Sequence, residues 1–222
     1  MKKILTIGLI ILLAIGASYV VYASNVANTK HNLSTSAGPS RTYYLTAGTN
    51  GDQVCVFCHT PHSGDQTKGP LWNRNYTNGA FNMYSSTTIN MTMETQPVSV
   101  SLACLSCHDG TTGFDALLNF PGSGSTNPGD WTWNNSKNRI QSSSTSYMGT
   151  DLSNDHPISI TYNTAVDSDF NAKNASNYVN GIPLYSGRVE CGSCHNPHDN
   201  TYGVFLRASN SGSALCLKCH IK

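Results

Sequence analysis

The chain has 222 residues, with 13 Lys+Arg, 12 Asp+Glu and a formal net charge of +1. Charged residues are only 11% of it, against roughly 25% in ordinary soluble domains; Ser, Thr, Asn and Gly take their place, so the polypeptide has little of its own to bury. Nearly balanced charge with no basic patch excludes a nucleic-acid partner.

Residues 1–23 read as an export signal. Met1-Lys2-Lys3 is a short basic region, Ile4 to Val21 is apolar or small, and Val21-Tyr22-Ala23 offers a cleavage point after Ala23. The apolar run is long for a signal peptide, so an uncleaved membrane anchor is the alternative. No cysteine lies near that point, which excludes a bacterial lipid anchor. The expected location is therefore secreted, extracellular or at the cell surface, with the periplasm as the alternative.

Residues 24–115 form a first unit. His31 lies on a short polar arm expected to be flexible, Ser24 to Lys30. It is followed by Cys55-Val56-Phe57-Cys58-His59-Thr60-Pro61-His62 and then Cys104-Leu105-Ser106-Cys107-His108. Residues 116–150 read as a linker or insertion, within a wider join over 109–154 that contains Gly122-Ser123-Gly124-Ser125, a polar run from Gln141 to Ser146, and Trp131 and Trp133. Residues 151–222 repeat the first unit: His156, then Cys191-Gly192-Ser193-Cys194-His195-Asn196-Pro197-His198, then Cys216-Leu217-Lys218-Cys219-His220. The order is the same each time, while the spacings differ, which places variable loops between fixed points.

Regular secondary structure should be sparse, because no segment past Ala23 keeps a helical apolar stripe. Short helical turns are expected at the Cys-x-x-Cys-His sites. Gln96 to Leu102 and Pro157 to Tyr162 alternate like short strands, and Pro97 and Pro157 confine them to edges or strand beginnings.

Four Cys-x-x-Cys-His motifs use all eight cysteines and half of the eight histidines. This is the attachment pattern of c-type haem: Cys55, Cys58, Cys104, Cys107, Cys191, Cys194, Cys216 and Cys219 would form the thioethers, and His59, His108, His195 and His220 would bind iron from below. Zinc can use paired Cys-x-x-Cys units but does not need a His directly after each. Structural disulfides do not explain the histidines either. The expected cofactors are four covalently bound haems, roughly one for every 50 residues after Ala23. The expected fold is mostly irregular loop with short helices and a few short strands, wrapped around the haems as one compact tetrahaem domain.

Four histidines remain, His31, His62, His156 and His198, for four open iron faces. Bis-His ligation at every iron is the reading that uses them all. Met would raise the potential, but Met83, Met91, Met93 and Met148 do not follow the repeat and read as packing or loop residues. Pro61 stiffens the link between His59 and His62, too short to cross a porphyrin, so His62 and likewise His198 must reach other haems. The simplest scheme gives His62 to the haem of His108 and His198 to that of His220. His31 and His156 then complete the haems of His59 and His195. An arm carrying His31 could also insert into a neighbouring copy, a head-to-tail contact that propagates into open filaments.

With every axial position filled, the chain is expected to transfer electrons rather than turn over substrate, at low potential. The two Cys-x-x-Cys-His-x-Pro-His segments, their following Cys-x-x-Cys-His motifs and Asp155-His156-Pro157-Ile158 resemble multihaem c-type cytochromes with doubled motifs. The haem count, sparse charge and N-terminal His further resemble the tetrahaem extracellular cytochrome filaments of metal-reducing bacteria. That resemblance implies a homopolymeric nanowire with a continuous haem chain, with His31 ligating a haem of the neighbouring subunit. Redox partner cytochromes would feed it, and external acceptors would drain it. The alternatives are a soluble periplasmic tetrahaem shuttle, a membrane-anchored quinol-oxidising cytochrome, and a haem enzyme with one open iron face.

Overall fold

A computed structural model describes residues 25–77, 79–122 and 129–221. The export segment and its cleavage point, and Ser123 to Ser125 of the join, lie outside these. Among the described residues no helix is long and apolar enough to cross a membrane.

Loops dominate. The strands are β1 (Leu45–Ala47), β2 (Thr132–Trp133), β3 (Ile160–Thr161), β4 (Tyr178–Val179), β5 (Ile182–Pro183) and β6 (Arg188–Val189). They form three separate antiparallel pairs, β1 with β2, β3 with β6 and β4 with β5. The helices are α1 (Ser99–His108), α2 (Cys191–Cys194) and α3 (Cys216–Cys219). A 3-10 turn at Val54–Phe57 carries the first motif. Each Cys-x-x-Cys therefore lies in a helical turn, as expected from the sequence.

The stretch from Gln96 to Leu102 is a correction. Its alternation of Val and Ser imitates a strand, but Ser99 starts α1. Inside the helix Ser101, Leu102, Ala103, Leu105 and Ser106 are all buried. Small Ser and Ala side chains let neighbours close on this helix from more than one side, so it shows no single apolar stripe. The expected strand from Pro157 survives only as Ile160–Thr161.

The N-terminal arm is not loose. Asn25 caps a 3-10 turn at Val26–Asn28 by accepting from Ala27 N–H. Asn32 and Ser34 are fully enclosed and bond to each other and to Ser36. Arg41 donates to the Asn28 carbonyl.

Three small apolar clusters each rest against a motif. Leu45, Phe57, Phe114, Trp133 and Ile140 pack around Cys58 and Cys107. Phe81, Leu105 and Leu152 form a second, with Met83 beside them. Tyr162, Val179 and Leu184 form a third beside Cys219. Trp133 and Ile140, from the join, pack with the first unit, and β2 pairs with β1.

Candidate haem-attachment sites

One helical turn places the two thiols of each motif three residues apart on one face. The turn closes at the histidine in three of the four: His59, His195 and His220 N–H donate to the carbonyls of Cys55, Cys191 and Cys216 at 2.8, 3.0 and 3.0 Å. In the other motif the turn continues α1, with Asp109 N–H donating to the Leu105 carbonyl at 3.0 Å. All eight cysteines are free thiols. Among the described residues no three His, Cys, Asp or Glu converge as a zinc set would. The thiols of Cys104 and Cys191, from different units, lie close enough to shift each other, Cys104 upward and Cys191 downward. Those two attachment points are therefore neighbours.

The imidazoles are oriented through backbone carbonyls. Nδ1 of His59 meets the Pro70 carbonyl at 2.9 Å, His108 that of Ser146 at 2.7 Å, and His195 that of Val204 at 2.9 Å. His156 Nδ1 bonds to the Pro157 carbonyl at 2.9 Å and His31 Nδ1 to that of Pro197 at 3.3 Å. A proton held on Nδ1 leaves Nε2 with its lone pair free, the form a metal requires. Burial above all, with His108 close by, pushes His31 down to about 4, so its neutral form persists. Burial likewise lowers His108, and burial, with His59 nearby, lowers His198.

The rings form facing pairs. His31 and His108 centroids are 6.2 Å apart, His59 and His198 5.9 Å, and His156 and His220 6.4 Å. Two imidazoles bound through Nε2 to opposite faces of one metal, each at about 2 Å, stand with centroids about 6 Å apart. Two of the pairs meet edge-on, at 83° and 80°, and the His59–His198 rings lie 18° from parallel. These pairs differ from the scheme expected from spacing: His198 faces His59 rather than His220, His156 faces His220, and His31 faces His108 within its own chain. His198 lies beside the ring of His59, from the other unit, rather than beside the histidine of its own motif. Spacing fixes only where a ligand cannot go, and the loops decide where it does go. Among the described residues His62 and His195 face no other histidine ring, and both are exposed.

Two elements escaped the sequence reading. After each Cys-x-x-Cys-His-x-Pro-His a short return segment runs back along the motif. Thr60 N–H donates to Leu71 and Asn73 N–H to Cys58; in the second unit Asn196 N–H donates to Phe205 and Arg207 N–H to Cys194. Side chains repeat the match, with Asn73 Nδ2 donating to the Val56 carbonyl at 2.7 Å and Arg207 Nε to the Gly192 carbonyl at 2.6 Å. Leu71 and Phe205 both adopt positive φ, 55° and 60°, just after the carbonyl that holds the histidine. The pairs Leu71/Phe205, Trp72/Leu206 and Asn73/Arg207 share no identity, so only their placement after the motif could have marked them. The donors Trp72 Nε1, on a ring edge-on to His59, and Arg74 Nε are buried with no protein acceptor. Such orphans are expected where a non-protein group belongs.

No curated protein matches the chain. A family model described as the doubled CXXCH motif matches residues 183–222, which hold both motifs of the second unit. That match supports a multihaem c-type cytochrome, a haem-iron electron-transfer protein rather than a typical enzyme.

Proposed function

We propose that the chain is a tetrahaem electron carrier of the cell exterior that polymerises head-to-tail, His62 of one copy meeting the iron held by His195 of the next. The carrying observation is the division of the histidines into three facing pairs and one unpaired couple. His62 and His195 are both exposed, so a neighbouring copy can bring them together. A contact of that kind is heterologous and propagates into an open filament. His31, expected from the sequence to reach a neighbour, is instead engaged inside its own chain against His108 and stacked on Phe205.

Bound haem would supply one-electron exchange between ferric and ferrous iron. The chain's part is to grip and orient. Carbonyls of Pro70, Ser146 and Val204 take the Nδ1 protons and raise the basicity of the imidazoles, which favours the ferric form and a low potential. Iron held between two of these histidines would have no position left for a substrate, so the bound groups would supply electron transfer between partner cytochromes and external acceptors. The apolar run Ile4 to Val21 supports export.

Electron microscopy of the purified native protein tests this. Long filaments are expected, and discrete small particles at every concentration reject polymerisation. His62→Ala should keep four tethered macrocycles, turn one haem in four high-spin and abolish filaments. His31→Ala should open the iron of His108 within each copy and leave the end-to-end contact in place. Normal filaments from His62→Ala end the role of that residue.

A further inference from the structure

Arg74 is the largest side chain buried to below 2% exposure, and it has no carboxylate partner. Neither of the two ion pairs among the described residues involves it. Its Nη1 donates to the Phe114 carbonyl at 2.6 Å, and its Nη2 to the carbonyls of Gly113 at 2.5 Å and Ser106 at 3.3 Å. A guanidinium keeps its charge in proteins, and burying a cation unpaired is costly. Three carbonyl dipoles offset part of that cost, one of them in the last turn of α1, where the helix presents its negative end.

The position is specific. Asn73, the preceding residue, donates its N–H to the Cys58 carbonyl at 2.9 Å. Ser106, which accepts from Nη2, directly precedes Cys107. The charge therefore stands between the second cysteines of the first two motifs. In the register of the return segments, where Arg207 matches Asn73, the residue matching Arg74 is Ala208. The second unit has no such buried cation at that place.

We infer that Arg74 is a potential-setting residue, a fixed positive charge at the junction of the first two attachment sites that favours ferrous iron at His59 and His108. The step is Fe(III) plus one electron giving Fe(II), with no proton, and the electron comes from a reductant such as a partner cytochrome. A buried charge acts over this range with little screening by salt. The inference rests on the proposed tetrahaem function.

The test is a potentiometric titration of the haem-loaded protein, followed by its visible absorbance, for the native chain, Arg74→Met and Arg74→Lys. Arg74→Met is expected to lower two of the four midpoints so that the ferrous-to-ferric ratio at a fixed potential falls about tenfold, or ~59 mV. Arg74→Lys keeps the charge without the three-carbonyl fork and should stay near the native values. Unmoved midpoints in a four-haem, low-spin Arg74→Met protein overturn the inference. Should Arg74→Met fail to fold, a tenfold fall in Arg74→Lys overturns it, because the charge is then present and ineffective. Mass spectrometry of the native protein separates the two levels. Absence of a macrocycle on Cys55/Cys58 or Cys104/Cys107 ends both readings, whereas four macrocycles with unmoved midpoints end this one alone.

Discussion

Single residues at the return segments trade backbone comfort for a carbonyl in the right place. Val204 has φ of 39° and is 71% exposed, so it gains little by packing there. The left-handed region costs a non-glycine residue roughly 1–2 kcal/mol, and a β-branched residue is an outlier in it. Its carbonyl nonetheless holds His195. Val204→Gly keeps the carbonyl and removes the strain, while glycine loosens the unfolded chain by about 0.4–1 kcal/mol. The expected net gain is up to about 1 kcal/mol by denaturant unfolding of the haem-loaded protein, and a loss contradicts the strain. Asn73 is the opposite case. It is fully enclosed, donates to the Val56 and Asn119 carbonyls and accepts from Asn119 N–H. Asn73→Ala leaves three half-buried backbone groups short of a partner and should cost about 2–3 kcal/mol in the same assay.

At the scale of elements, the junction of α1 with α2 rests on one buried carboxyl. Glu190 is 1% exposed, accepts from Ser101 and Ser159 hydroxyls at 2.5 and 2.9 Å, and forms a capping box with Ser193 at the start of α2. Ser101 also accepts from Cys191 N–H at 3.0 Å. Ser101→Ala removes the hydroxyl and both bonds with little change in volume, with an expected cost of about 2–3 kcal/mol. Burial raises the Glu190 carboxyl above 4.5. The folded chain therefore binds that proton more tightly than the unfolded chain does. The contribution is fullest below 4.5 and declines as pH rises through the raised value. Glu190→Gln should flatten that decline in a stability–pH profile; an unchanged profile excludes the group as its source. The helical turns at the motifs were legible because Cys-x-x-Cys-His demands them. The helix at Ser99–His108 was not, because Val98, Val100 and Leu102 alternate with serines before the helical pattern takes over. Nor were the return segments, since backbone bonds carry their likeness while Asn73 and Arg207 fill one role with different chemistry.

For the molecule as a whole, three clusters of three to five buried residues and strands of two or three residues are a small core for so long a chain. On the proposed function the cofactors supply the remaining apolar mass, and the haem-free chain should not fold. Circular dichroism of protein made without haem attachment is expected to show no cooperative melt, and a sharp melt contradicts it. The four Cys-x-x-Cys-His motifs are explicit in the sequence. Which imidazoles face each other is not, because that depends on loops such as 198–205 that carry His31 and Phe205 into contact. The junction of α1 with α2 also brings Cys104 and Cys191, from the two halves of the chain, close together. On the proposed function, macrocycles tethered at these two cysteines would then stand side by side, one from each half of the chain.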